Sequence, residues 1–400
     1  MDRTIEQLSS GTTAQPGTSP VSSGGKLSVR RETAPSEETL AQWDQLVERS
    51  GSSDVTQLSS WATVRRCAGY TPVYLLAYRS GQVVGGALVL YRRAFGFITV
   101  GYLPYGPVVD REHPDAGDVS LALVDAVSSL ADELTMLFVQ PPEGAEDTSA
   151  ALRDKGFRVS RAGIAPAGSY RLDLTTPLPE IRGGFSKRLK SWTNRWAAKG
   201  VKVRQGDEND LPLLLELMEY TGARQGFTPP PLSYVRTLYL ELVETGNAAL
   251  FIGEVNGAAV SADLVTVCGG MIRGRLGGFN STGDAGKLSV PAAVRWEIIQ
   301  WGQREGHRYL DFGGLPEEML TDMLDRGIHS NDDWPSAQRG KLAFNGRPFR
   351  YPTPVEQIRS GAFRIAYDLL RNNPRGQRVL TWAKGRFRGQ FRGRDNCETG

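Results

Sequence analysis

Two aspartates stand at the ends of β-prone runs beside glycines. Asp110 closes Tyr105-Gly106-Pro107-Val108-Val109-Asp110, and Asp311 lies in Tyr309-Leu310-Asp311-Phe312-Gly313-Gly314. A carboxylate at a strand end, where glycine lets a backbone or ligand come close, suits proton transfer or substrate contact. A capping or turn aspartate has the same spacing, and spacing alone favours that plainer reading. A third patch is cationic. Lys187, Arg188, Lys190, Arg195 and Lys199 share one stretch with Trp192 and Trp196. Spacings of three and four put Arg188, Trp192, Arg195 and Lys199 on one side of a helix, a face fit for phosphates or simply for water.

Several chemistries are excluded by residue type. The three histidines (His113, His307, His329) include no pair at ligand spacing, so a His-rich metal site is not expected. Cys67, Cys268 and Cys397 are odd in number and far apart, which fits a reducing, cytoplasmic setting rather than a disulfide framework. No nucleophile elbow and no Ser-His-Asp pairing can be read, so proton work falls to carboxylates, Lys or substrate groups. Gly283-Asp284-Ala285-Gly286-Lys287-Leu288 lacks both the Ser or Thr after Lys and the leading glycine of a phosphate loop, and reads as a turn before a helix.

The elements that must hold these groups alternate twice. Glu37–Arg49 is predicted helical with Ser36 as cap, and Trp61–Ala68 follows as a second helix. Runs at 72–78 and 83–91 flank Arg79-Ser80-Gly81-Gln82 as a hairpin, and 95–101 adds a strand. A helix at 119–131, a strand at 135–140, a helix at 149–155 and a strand at 167–175 complete the first half. After Pro177 come the basic helix at 186–199, a strand at 201–205, and helices at 211–221 and 234–244. A hairpin turns on Asn256-Gly257, a strand spans 271–278, a helix starts at Pro291, and a strand covers 309–312. Helix, hairpin, strand, helix, strand thus occurs in both halves, and two copies of one α+β domain suit 400 residues.

The ends differ from this pattern. From Leu8 to Gly25, fourteen of eighteen residues are Ser, Thr, Gly or Pro, so 1–26 is expected to be a disordered tail. Its composition lacks the apolar core of a secretion signal, and no apolar run has the length of a membrane span. Between Arg371 and Arg394 eight basic residues and no acid are interleaved with Trp382, Phe387 and Phe391. That mixture suits a polyanion such as RNA, or a solvated helix end. The net charge is only +3, and the excess of Arg over Lys is ascribed to a GC-rich genome.

Six patches in order resemble the Fem family of peptidyltransferases, which extend peptidoglycan side chains from aminoacyl-tRNA and have relatives in peptide-antibiotic biosynthesis. They are Gln57-Leu58-Ser59-Ser60-Trp61 through Arg65, the Gly106-Pro107-x-x-Asp110 turn, and the basic stretch ending Lys199-Gly200-Val201. The others are Thr221-x-x-Arg224-x-x-Phe227, Tyr309-x-Asp311-Phe312-Gly313-Gly314, and Lys341 before Phe344-Asn345-Gly346. The resemblance covers about residues 27–350. It implies two tandem GNAT-like (acyl-CoA N-acyltransferase-like) domains, at 27–178 and 179–345, with mixed sheets flanked by helices and no coiled-coil arm. Residues 346–400 would form C-terminal helices and a basic tail packing back on the first domain.

The resemblance also implies roles. Asp110 would accept a proton from the attacking amine, and Lys341 would stabilise charge on the ester carbonyl. Trp61, Arg65, Tyr105, Tyr234 and Asp311 would contact substrate, and Lys187, Arg188, Arg195 and Lys199 would meet tRNA. Aminoacyl-tRNA would be the donor, and a small peptide or muropeptide-like amine the acceptor, with no cofactor. An aminoacyl ester is already activated, so such a reaction needs orientation, a proton acceptor and oxyanion stabilisation. Two departures stand out. Pro230 occupies the place of a phosphate-binding Arg and has no N–H to donate, and Arg275-Leu276-Gly277-Gly278 replaces tyrosines. Both pull against a nucleotide-linked or lipid-linked muropeptide and make a peptide-antibiotic intermediate the alternative acceptor, while frequency keeps the cell-wall type slightly ahead. The rival readings are an acyl-CoA-dependent N-acyltransferase, which would need a pyrophosphate loop, and a non-catalytic RNA-binding protein on the same scaffold.

Overall fold

The computed structural model describes residues 25–51, 53–94, 98–163, 165–283 and 285–378. The tail expected over 1–26 lies almost wholly outside them, as does the basic stretch past 378.

The first half runs β1 (Ser28–Glu32), α1 (Glu37–Arg49), α2 (Ser59–Cys67), β2 (Thr71–Arg79), β3 (Gln82–Ala94), β4 (Ile98–Pro104) and β5 (Val108–Val109). It continues with α3 (Ala116–Glu133), β6 (Met136–Gln140), α4 (Glu146–Asp154), β7 (Arg158–Val159) and β8 (Gly168–Asp173). Then come α5 (Leu178–Gly184), α6 (Lys187–Thr193), β9 (Val201–Gly206), α7 (Leu211–Gln225), α8 (Leu232–Val243), β10 (Ala248–Val255), β11 (Ala258–Cys268) and β12 (Met271–Phe279). The chain closes with α9 (Ala285–Leu288), α10 (Val290–Arg304), β13 (Tyr309–Leu315), α11 (Glu317–Leu320), α12 (Ser336–Leu342), β14 (Arg347–Arg350), β15 (Val355–Ile358) and α13 (Gly361–Asn372).

Local signals form the elements they predict. Ser36 caps α1, its Oγ accepting from the Thr39 amide at 3.2 Å. Asn256 and Gly257 both take positive φ (51° and 83°), and β10 turns into β11 across them. The basic helix is shorter than its pattern: α6 ends at Thr193, and only a 3-10 turn at 197–199 follows. Trp196 causes the break. Its indole is buried against the second core, and Nε1 donates to the Leu288 carbonyl at 2.8 Å. Trp192 also packs on that core, so the face expected to join it with Arg188, Arg195 and Lys199 does not exist. No arm is inserted between α6 and β9.

Two mixed sheets result, in the orders β1-β2-β3-β4-β6-β15-β7 and β14-β8-β13-β12-β11-β10-β9, with β5 beside β3. They exchange strands. β8, expected to close the first domain, lies in the second sheet between β14 and β13. β15 returns to the first sheet between β6 and β7. The segment 347–358, expected to be helical, is thus two strands. An alternating strand pattern says which side chains face inward, not which edge supplies hydrogen bonds.

In β2, Val73, Leu75 and Ala77 face α3, while Tyr74, Leu76 and Tyr78 face α1 and α2. A strand buried on both faces reads as a continuous apolar run. The α1–α2 core does not stop at the domain. It continues through Trp61 into Leu211, Leu217, Val235, Leu238 and Leu264, so the halves share one apolar cluster. Gly278 lets α7 approach β12: an added Cβ would clash with the Leu217 and Met218 backbone. Backbone cannot rotate aside, so Gly278→Ala is expected to cost about 1–3 kcal/mol in urea unfolding.

Candidate active site

The site is assembled where the sheets meet. Buried Gln57 organises its first wall. Its Oε1 accepts from the Leu88 amide at 2.8 Å, and its Nε2 donates to the Pro104 carbonyl, bracing the turn that carries Tyr105. Tyr105 stacks on Tyr351 with ring centroids 5.4 Å apart, and the Gly106–Pro107 peptide is cis. From α2, the Arg65 guanidinium lies 4.2 Å from the Tyr70 ring centroid and donates to the Tyr234 hydroxyl of α8 at 3.3 Å. Trp61 lies under Arg275 of β12, 5.1 Å from ring to guanidinium. Four expected substrate contacts, Trp61, Arg65, Tyr105 and Tyr234, therefore line one inter-domain surface.

Behind this surface runs a buried ionic chain. Asp54 pairs with Arg273 and Arg275, each at 3.3 Å. Arg273 reaches Asp311 at 3.9 Å, Arg171 reaches it at 3.6 Å, and the Tyr351 hydroxyl donates to it at 3.2 Å. Arg171 also binds Glu143. Burial alone would raise the Asp54 pKa, but Arg275, Arg273 and the Thr56 hydrogen bonds outweigh it and hold the carboxyl below its ordinary value. Burial opposes charge on Arg273 too, and Asp54, Tyr351 and Asp311 more than offset it. Tyr102 and Tyr105 are pushed up, first by burial, and remain neutral phenols.

Asp311 departs from its expected place. It is only 3% exposed and touches no open surface. Its Oδ1 accepts from the Gly313 amide at 2.7 Å, which fixes the bend at the end of β13. That bend presents the Gly314 carbonyl to Lys341, whose Nζ donates to it at 2.8 Å. Asp311 is a positioning residue in this structure, and Lys341 is the group it places. Burial, then Arg295 of α10, lower the Lys341 pKa to about 8 against a weaker opposite pull from Asp311. Arg295 also acts on Asp263 of β11, whose carboxyl burial raises to about 6.

Asp110 sits on the rim, half-buried. Arg49 donates to its Oδ2 at 2.7 Å, and the Glu112 amide to its Oδ1 at 3.2 Å. Each oxygen retains a further lone pair, so Asp110 can accept a proton from an amine with the Arg49 contact in place. Lys187, Arg188, Arg195 and Lys199 are all exposed. The start of α6 adjoins the Lys341 segment: the Ser186 amide donates to the Ala343 carbonyl at 2.9 Å, and Phe185 meets Phe344 edge to face. A cavity elsewhere, beside α1, has Asp44 and Glu48 in its wall. There Ser59 occupies Asp44, and Asn247 occupies Glu48.

Sequence reasoning missed Asp54, Arg171, Arg273 and Tyr351, and singled out Arg275 only as part of a stretch that replaces tyrosines. They are scattered over about three hundred positions, and no spacing links them.

Two mixed sheets, each with one parallel strand pair (β4 with β6, β12 with β13), define a tandem GNAT-like fold. Residues 185–319 match the acetyltransferase (GNAT) domain family. The crystal structure of FemX superposes with a TM-score of 0.70 over 84% of this chain and 99% of that one, at 17% identity. The lipid II:glycine glycyltransferase of Staphylococcus aureus strain MRSA252 is 27% identical over 235 residues, 54% of this chain and 54% of the relative. The same enzyme from strain USA300 aligns equally. The chain spans about half the length of these curated relatives. The chain is thus similar to these transferases over part of its length, and its fold is a pair of GNAT-like domains. Among the described residues, no helix is long and apolar enough to cross a membrane.

Proposed function

We propose that the protein transfers an aminoacyl group from aminoacyl-tRNA to the amine of a peptidoglycan-precursor peptide. The attacking nitrogen forms a bond to the ester carbonyl carbon. The bond from that carbon to the terminal ribose oxygen breaks, and the ribose hydroxyl leaves with a proton. Asp110 accepts the amine's proton, and that proton is passed on to the leaving ribose oxygen. The Lys341 ammonium, held at the bend of β13, faces the negative charge that grows on the carbonyl oxygen. Trp61, Arg65, Tyr105 and Tyr234 hold the acceptor.

The observation that carries this reading is the junction of α6 with the Lys341 segment. A polyanion lying on Lys187, Arg188, Arg195 and Lys199 would bring its end toward the cation that the chemistry needs. Relatives named for glycyl transfer to lipid II support a muropeptide acceptor, and make glycine the first amino acid to try. Pro230 still marks a difference in acceptor binding, and a peptide-antibiotic intermediate is the alternative acceptor.

Single-turnover transfer tests the reading. Purified protein is mixed with tRNAs charged with labelled amino acids and with muropeptide acceptors. Label is expected in an RNase-stable amide, and RNase treatment of the donor beforehand should abolish it. Transfer from acetyl-CoA with none from aminoacyl-tRNA would instead establish the acyl-CoA rival. Asp110→Asn is expected to slow the transfer about a hundredfold. An unchanged rate would remove Asp110 from the mechanism.

A further inference from the structure

We propose that Asp263 receives the α-ammonium of the aminoacyl group and so selects amino-acid esters over other acyl donors. The inference rests on the transfer reaction proposed above and gives a role to a carboxylate that reaction does not yet use.

β12 and β13 pair in parallel only where Met271–Arg273 meet Tyr309–Asp311. There the ladder ends, while the strands run on to Phe279 and Leu315. Two bare glycines face the gap this leaves. Asp263 of β11 is paired with Gly277 of β12, and its Oδ1 lies where a Gly277 side chain would have to stand. The carboxylate thus leans across β12 toward the gap. On the far side, the Lys341 ammonium lies 3.7 Å from the place of a Gly313 Cβ and donates to the Gly314 carbonyl at 2.8 Å. Asp263 shares its sheet face with Val265 and Val267, which pack in the core under α10. Arg295 of α10 is near enough to act on both Asp263 and Lys341.

Asp263 is half-buried. Among the described residues none donates a hydrogen bond to it, and Arg295 acts on it only at a distance. A carboxylate that has lost water without gaining a partner is unfavourable, and burial raises its pKa to about 6. At neutral pH it is still mainly ionised, so the site calls for a cation. Lys341 and Arg295 repel a bare metal ion there. An aminoacyl ester carries an ammonium one carbon from its carbonyl, and so offers one group to Asp263 and the other to Lys341. An acetyl group would leave the carboxylate unpaired.

The test uses the full chain, a muropeptide acceptor and two sets of tRNAs, one charged with labelled amino acids and one with the matching α-hydroxy acids. The parent is expected to favour the amino-acid esters at least about tenfold in kcat/KM, as a hydrogen bond between charged groups allows. Asp263→Asn and Asp263→Ala should slow the amino-acid esters far more than the hydroxy esters and lose most of that preference. Both variants should melt like the parent, because no hydrogen bond of the fold is removed. A preference kept by both variants would overturn this inference and leave the transfer reading standing. So would a parent without preference, or equal slowing of both donor sets, which would give Asp263 a structural role. No transfer by the parent from either set would overturn the transfer reading, and this inference with it.

Discussion

Lys341→Met lowers the single-turnover transfer rate about a thousandfold while leaving acceptor binding nearly unchanged, an expectation at the upper end for removal of one oxyanion-stabilising donor. The ammonium is held by one hydrogen bond, to the Gly314 carbonyl at 2.8 Å, so it has donors left for a substrate oxygen. Met keeps much of the volume and loses only the charge. A pH profile gives the stricter check. With a pKa lowered to about 8, chiefly by burial and then by Arg295, the cation is lost as pH rises through that value. The parent rate should therefore fall on the alkaline side with a midpoint near 8, and Lys341→Met should lack that limb. Linkage supplies a second sign. Between pH about 8 and the ordinary 10.5, the unfolded chain binds more protons at this site than the folded one, so its contribution to stability rises with pH. A Lys341→Met enzyme with parental kcat would remove the residue from the chemistry.

Arg273→Met carries the largest expected effect on stability, a loss of about 3–5 kcal/mol in urea unfolding. Arg273 contacts Asp54 at 3.3 Å and Asp311 at 3.9 Å, and these carboxylates are 1% and 3% exposed. Removing the cation strands charge in the interior, which costs far more than a surface pair is worth. Asp54→Asn/Arg273→Met removes charge of both signs and should recover part of the loss. A loss below about 1 kcal/mol would show that water relieves the buried carboxylates. The parent protein should also lose stability in acid. The Asp54 pKa is held below 3.8, so its contribution is present above that value and disappears as pH falls through the lower one.

The two sequence-level aspartates fared differently for a physical reason. Both end strands beside glycine, yet Asp110 is rim-exposed and paired with Arg49, while Asp311 is sealed under Tyr351, Arg171 and Arg273. Identical local spacing cannot distinguish them, because burial is decided by what packs above the strand. The basic patch illustrates the same limit. Its cations lie outside as charge requires, but Trp196 bends the chain inward and ends the helix early.

What neighbours in the chain govern was readable from the residues: the α1 cap at Ser36, the Asn256-Gly257 turn, and the repeated order of elements. Period and turn chemistry act over a few positions, so they survive without knowledge of the rest. Only the tertiary structure decided that β8 and β15 trade sheets, that α2 and α8 face each other across Arg65 and Tyr234, and that Asp54, Arg273 and Asp311 form one chain. Those contacts join residues up to about two hundred and twenty positions apart, and no local propensity encodes which backbone edge or which buried charge will be the partner.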